Sequence, residues 1–443
     1  MTAKQKNFKQ LMLCGHGRCF HILADDPQPY KDIVMYGCLH DISFDMQCEG
    51  SRGLYMYNLA RKYDNAEEFL HAAAEKFLTP KVNDDWHTFE HLCDFISCFA
   101  ADGNTYAQNT LEKKYAEMYP LILKTRHSVK LNNFTSNFEY ISILIMQQNH
   151  LPRLEKIVTD MGAYFLRRHN TDDSVLHWDF AWFLQCTKDK FGDDILQKLS
   201  CDTPELRRFI RVMSAENDTP QPQHDTLTAD DVLNELSQNS ISPRYCRQFA
   251  LRADNDEKIK LAQSVISEND PCVKVKALQM FTSRYNPFPL DSSYLIGYAK
   301  LENAELQRAA LDALIYIKSD AVHDFALELL QGKNVTDSLY MLIKNYKDND
   351  YDILAKNLRA LKFDIRDKNG WHGIILSLLD NTDLPDSVFE FIYEKSMCSC
   401  CRASAFREMH RRNVLTEKMI AEGLFDCNEE IREEAGKIKN ETK

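Results

Sequence analysis

The chain has 443 residues, 44% hydrophobic and 27% charged, which suits a folded protein too long for one ordinary core and so built from two domains or a repeat array. Its formal net charge is −12, with no basic run longer than Arg167–Arg168 or Arg411–Arg412, which argues against a nucleic-acid or anionic-membrane surface, since both need clustered positive charge. Only 14 Gly and 13 Pro punctuate it, so helices joined by short loops, an all-α fold, are favoured over a many-stranded sheet.

From the N-terminus, Met1–Gln10 is polar and basic and lacks the apolar core of a signal peptide. The best apolar run, Tyr140–Met146, is far too short to span a membrane. These features predict a cytoplasmic chain with no membrane partner and with its 14 Cys reduced. The first candidate site is Leu13-Cys-Gly15-His16-Gly17-Arg18-Cys19. Two glycines around a histidine, followed by an arginine, offer either an anion-binding nest ahead of a helix or a turn between two helices. The polar segment Asp41–Arg52 follows, where Glu49 and Arg52 can pair with each other and Ser51 can cap the next helix. A polar loop of this kind is also a place for a pocket.

Helical periodicity predicts helices over 52–62, 66–77, 84–100, 105–118, 137–148, 153–167 and 174–186. The 84–100 helix carries His87-Thr-Phe-Glu90-His91, which resembles the H-x-x-E-H zinc motif of inverted zinc peptidases. Histidines four apart lie one turn apart and can converge on a metal, with Glu90 as base. Glu112 and Glu139 are the downstream carboxylates available as a further ligand. On a helical wheel Trp86, Phe89, Cys93, Ile96 and Ala100 form the apolar stripe, whereas His87, His91, Asp94 and Cys98 share the opposite face. The two histidines are therefore expected to face solvent or a groove. The aromatics Trp86, Phe89, Trp178, Phe180, Trp182 and Phe183 are expected to pack in the core.

Residues 215–229 are polar, contain two prolines and read as a linker, which divides the chain into an N-terminal helical domain (1–214) and a second domain (230–443). The second domain shows internal similarity: Val273 to Ala277, Leu306 to Ala310, Cys401 to Ala405 and Ile431 to Ala435 each join an apolar residue to an alanine four positions on. Phe281, Leu314 and Met409 follow three of those alanines by another four. A unit of roughly 30 to 47 residues made of helix pairs marks an α-solenoid. The Asp270-Pro-Cys-Val-Lys-Val-Lys-Ala-Leu278 stretch resembles HEAT-like repeat proteins, and the resemblance implies a solenoid of helical hairpins over 230–443. Within it Cys398-Ser-Cys400-Cys401, with His410 and Cys427 beyond, contains a C-x-x-C, but Cys401 holds the buried apolar position of the repeat.

These features predict a scaffold that holds a protein partner, one with a basic patch given the acidic balance, on the concave face of a solenoid, without a cofactor. The binding candidates are His16, Arg18, Asp41, Glu49, Arg52, Trp86, His87, His91 and Asp94. One alternative is a zinc-dependent hydrolase using His87, Glu90 and His91. Another is a HEAT-like DNA-repair glycosylase, which needs a basic groove.

Overall fold

A computed structural model describes residues 1–124, 130–148, 151–199, 202–214, 227–238, 243–331, 335–360 and 370–441. It is 76% helical with no strand among the described residues, so the fold is all-α. None of the described helices is long and apolar enough to cross a membrane. The chain forms two compact units, Met1–Pro220 together with Met397–Lys443, and Gln221–Ser396. The first boundary falls where a linker was expected, although residues 215–226 lie outside the described set. The second boundary corrects the expected 230–443 domain: the last segment of the chain packs with the N-terminal half.

In the first unit the helix Trp86–Ala101 is central. Asp85 caps it, its Oδ1 accepting the Thr88 N–H at 3.3 Å. It packs against Lys31–Leu39, Gly53–Ala60, Glu67–Phe77, Thr105–Lys124 and Lys130–Gln147. Of the predicted stripe, Phe89, Cys93, Ile96 and Ala100 are buried, and Trp86 at the helix start is half-buried. Leu92, Phe95 and Phe99 are buried too, so the apolar surface is wider than one stripe, as a helix packed on several sides requires.

The predicted 174–186 helix is two helices, Asp173–Asp179 and Ala181–Phe191, broken at Phe180 (φ −136°, ψ 21°). Phe180 is buried against Tyr164 and Phe165, ring centroids 5.5 Å away in each case. Glu139 caps the second helix by accepting the Phe183 N–H at 2.8 Å. The break corrects the aromatic expectation. Phe89, Phe180 and Phe183 are in the core, whereas Trp178 is 67% exposed and Trp182 50% exposed.

In the second unit side-chain caps start several helices. Asp270 Oδ1 accepts from Cys272 N at 2.8 Å, and Asn303 Oδ1 from Leu306 N at 3.0 Å. Packing joins helices that are close in sequence: Ser293–Ala299 on Ala304–Leu314, Ala304–Leu314 on Pro271–Leu278 and on Val335–Lys344, and Val335–Lys344 on Gly370–Leu379. The repeat positions Ala277, Phe281, Ala310 and Leu314 are buried in this unit's core. Their counterparts Cys401, Ala405, Met409, Ile431 and Ala435 are equally buried, but in the first unit.

Close approach at Ala310 makes the position sensitive to volume. Ala310→Leu should cost about 1–3 kcal/mol by overpacking, more than Asn303→Ala, which removes only the cap at about 1 kcal/mol. Urea unfolding of the two variants measures the order; equal costs would contradict close packing at Ala310.

Candidate functional site

Three motifs that the sequence keeps far apart meet in the first unit. Helix Ala3–Cys14 ends in a left-handed Gly15 (φ 73°), and Gly17 opens the helix Arg18–Asp25. The glycine motif is therefore a turn between two helices. Its glycines also admit the C-terminal segment. The Cys427 N–H donates to Gly15 O at 2.9 Å. A Cβ on Gly15 would overlap Cys427 Sγ, and one on Gly17 would overlap the Glu422 carbonyl oxygen. Arg18 then grips Glu422 with both ends of its fork, Nε to Oε1 at 2.7 Å and Nη2 to Oε2 at 2.8 Å. His16 is fully buried beside them, and its Nδ1 accepts the Arg18 N–H at 3.2 Å. Burial first, then Arg402, Arg18 and Lys418, hold its pKa well below the ordinary value, so the ring is neutral at pH 7.

The 41–52 loop supplies the second motif. Glu49 and Arg52 pair as expected, Oε2 to Nη2 at 2.9 Å, and both side chains are buried. Arg52 also donates to the carbonyls of Leu13 and of Met397, the latter at 3.3 Å. Glu49 accepts the Phe44 N–H at 3.0 Å and the Ser399 N–H at 2.5 Å. Ser51, expected as an N-cap, accepts the Gly53 N–H at 3.2 Å and donates to Asp94. The third motif is the helix Ser399–Arg411. Cys401 is buried as its repeat position implies, and the next residue, Arg402, is 0% exposed. Arg402 pairs with the equally buried Asp426 and donates to the Cys14 carbonyl. Burial pushes the Asp426 carboxyl up, opposed by Arg402 and by the Asn428 N–H at 3.0 Å. Of the expected binding residues, His16, Arg18, Glu49 and Arg52 are thus committed to joining the chain's two ends. Sequence reasoning missed Arg402, Glu422 and Asp426. In the repeat pattern the position after the apolar residue reads as solvent-facing, and no spacing links these residues to the N-terminus.

Asp41, His87, Glu90, His91 and Asp94 gather on the other side of the loop, so the 41–52 segment and the His87 helix lie side by side. His87 Nδ1 is 3.8 Å from Asp41 Oδ2 and 3.1 Å from Met46 Sδ. Asp94 accepts from Ser51 and from Tyr140 Oη at 2.6 Å. His91 corrects the helical-wheel expectation: it is a core histidine, 0% exposed. The helix Lys31–Leu39 covers that face, and His91 Nε2 lies 2.9 Å from Gly37 O. Burial lowers its pKa to about 4, opposed by Asp41 and the backbone carbonyls, so the neutral ring donates from Nε2. Burial, then Asp94 and Asp41, lifts half-buried Glu90 to about 7. Among the described residues, the trios of His, Cys, Asp and Glu with ligand atoms within 4.8 Å of one another do not include His87, Glu90 and His91. Glu112 is paired with Arg153, and Glu139 caps Phe183.

The His87 helix also brings carboxyl groups near aromatic surface, and burial pushes the Asp94 carboxyl up, opposed by Ser51 and Tyr140. Glu90 and Asp94 lead to Tyr140, whose ring centroid is 5.4 Å from that of half-exposed Trp182. Carboxylates next to an exposed indole suit a cationic side chain. No protein-family model, curated protein or solved structure matches the chain.

Asp426→Asn should destabilise the protein by about 3–5 kcal/mol, because it leaves Arg402 buried without its counter-charge. Arg402→Met combined with Asp426→Leu should recover part of that loss, since an apolar pair carries no desolvation penalty. Urea melts decide it; a cost below 1 kcal/mol for Asp426→Asn would contradict the burial of the pair.

Glu90 sets a pH dependence. Its folded pKa of about 7 lies above the ordinary glutamate value of 4.5, so between those values the native state binds more protons than the unfolded chain. Stability from this group is present at pH 4.5 and is lost as pH rises through 7. Glu90→Gln should therefore raise the melting temperature more at pH 8 than at pH 5. An equal gain at both would contradict the burial of an uncompensated carboxylate.

Proposed function

We propose that the chain is a protein-interaction scaffold built of helical hairpins, HEAT-like in Gln221–Ser396, and that its partner carries a basic patch. The observation that carries this reading is the exposure of Trp178 and Trp182, at 67% and 50%, with Trp182 against Tyr140, which donates to Asp94. Tryptophan is the residue type most enriched among interface hot spots, and an exposed indole that could have been folded inward marks a contact surface. Glu90, which burial keeps partly protonated near pH 7, would ionise against a cation placed beside it, and the chain's net charge of −12 favours encounter with a cationic partner. The repeat part of the reading is supported by the main helix–helix packing in Gln221–Ser396, which joins sequence neighbours, the pattern of a quasi-one-dimensional stack, although Arg284 also reaches Asp380.

A second reading, metal or acid–base chemistry at the His87 face, is supported by Glu90 at about 7 and by the His87–Asp41 approach. Elemental analysis of protein purified without a histidine tag tests it: a stoichiometric metal lost in His87→Ala would support it, and a content near zero would remove it.

The scaffold reading is tested by affinity capture from nuclease-treated lysate with the wild-type chain and with Trp178→Ala and Trp182→Ala. The expected result is a stoichiometric partner, released by salt, whose recovery falls at least tenfold in the Trp182→Ala capture, as hot-spot losses of about 2 kcal/mol imply. Both residues are exposed, so circular dichroism should match the wild type. A partner captured equally by all three proteins would overturn the assignment of this surface, and no partner above background would overturn the reading.

A further inference from the structure

The Gln221–Ser396 unit contains a cleft of about 250 Å³, a little below the roughly 300–1,000 Å³ of drug-sized ligand sites and suited to a smaller ligand. It is bounded by the residues that follow the Ala304–Leu314 helix, by the end of Val335–Lys344 and by the turn after Gly370–Leu379. Three cations line it, Arg284, Lys318 and Lys344, in a chain that is otherwise strongly acidic. Among the described residues neither Lys318 nor Lys344 has a carboxylate at ion-pair distance. Arg284 Nη1 reaches Asp380 Oδ2 at 3.6 Å with both side chains largely exposed, a pair worth little in water and readily exchanged for a stronger anion. The cleft therefore holds positive charge that the protein does not use internally.

The rest of the lining restricts the ligand. Ile315 and Ile343 supply apolar wall. Tyr316 is half-buried, and burial, then Asp312, pushes its pKa up, so its hydroxyl stays a hydrogen-bond donor. Asp380 and Asp383 also line the cleft. Asn381 fixes the turn that carries them: its Nδ2 donates to Ile343 O at 2.7 Å and its Oδ1 accepts the Asp383 N–H at 3.0 Å. A bare anion would gain nothing from those carboxylates. A ligand that joins a doubly charged phosphate to several hydroxyls would use all of these groups, the cations taking the phosphate and the carboxylates accepting from hydroxyls.

We propose that this cleft binds a sugar phosphate or other phosphorylated polyol, with Lys318, Lys344 and Arg284 on the phosphoryl group and Asp380 and Asp383 on the hydroxyls. The test is titration calorimetry of the full chain at low salt with glucose 6-phosphate, glucose and inorganic phosphate. Glucose 6-phosphate should bind more tightly than either of the others. Lys318→Ala and Lys344→Ala should each weaken it about tenfold, the scale of one charge-assisted hydrogen bond. Asp383→Asn should weaken glucose 6-phosphate but not inorganic phosphate, and Lys4→Ala, exposed in the other unit, should change nothing. Equal affinity for inorganic phosphate would reduce the cleft to a simple anion site and overturn the proposal. So would no binding, or binding indifferent to both lysine substitutions. Tight, steeply salt-dependent binding of a short single-stranded oligonucleotide that Lys318→Ala abolishes would replace the proposal with a strand-binding site.

Discussion

Two arginines buried in the first unit, Arg402 and Arg52, set the terms for everything around them. A guanidinium cannot shed its proton, so each must keep a counter-charge and satisfy its remaining donors inside the protein. Arg402 keeps Asp426 and donates to the Cys14 carbonyl, and Arg52 keeps Glu49 and donates to the carbonyls of Leu13 and Met397, its buried Nε finding no acceptor among the described residues. The acceptors come from the first helix, the 41–52 loop and, at Met397 and Asp426, the segments that flank the last three helices. Each arginine finds its counter-charge in its own part of the chain, but Arg52 also donates to the Met397 carbonyl and Arg402 to the Cys14 carbonyl, each from the opposite end of the chain, which ties the two ends together. The centre is better understood as specifying the arrangement than as adding stability, because desolvating two ion pairs offsets most of their attraction.

Gly15 and Gly17 follow from the same requirement. The C-terminal segment approaches through the Cys427–Gly15 backbone hydrogen bond and the Arg18–Glu422 fork. It comes so close that a side chain at either glycine would occupy the space of Cys427 or Glu422. The left-handed Gly15 ends one helix, and Gly17 starts the next at the angle that exposes Arg18 to Glu422. A nest for an outside anion would leave these backbone groups free; here the protein's own carboxylate takes the arginine.

Much of the helical plan was legible in the sequence because it rests on local physics. Periodicity located the helix Trp86–Ala101 to within two residues, and the four alanines of the repeat pattern are all buried, although Val273 ahead of the first is only half-buried. The Glu49–Arg52 pair was legible because its members lie three positions apart. What was not legible depends on distant chain. Ala405 and Ala435 obey the same pattern as Ala277 and Ala310 yet pack in the other unit, because an alanine permits close approach without choosing the neighbour. Trp182 illustrates the opposite failure: its type predicts burial, but the break at Phe180 and the Glu139 cap turn it outward. Arg402 was hidden because a charged residue is read as exposed until its counter-charge, here Asp426, is known.

The H-x-x-E-H string shows how far environment overrides spacing. The pattern assumes two neutral histidines and an ionised glutamate facing a shared opening. In this fold the helix Lys31–Leu39 closes over one turn of that face, so His91 is neutral but committed to Gly37 O, while His87 one turn earlier stays partly open beside Asp41. Glu90 lies between them, and the same desolvation that keeps His91 unprotonated keeps Glu90 partly protonated. An ion arriving here would have to be held by His87, Glu90 and Asp41, drawing on the loop as well as the helix. A cationic side chain asks less, since it needs negative potential rather than convergent ligand atoms. Glu90, held partly protonated by burial and by Asp94 and Asp41, would give up its proton to an approaching cation and so supply that potential without any rearrangement of His91.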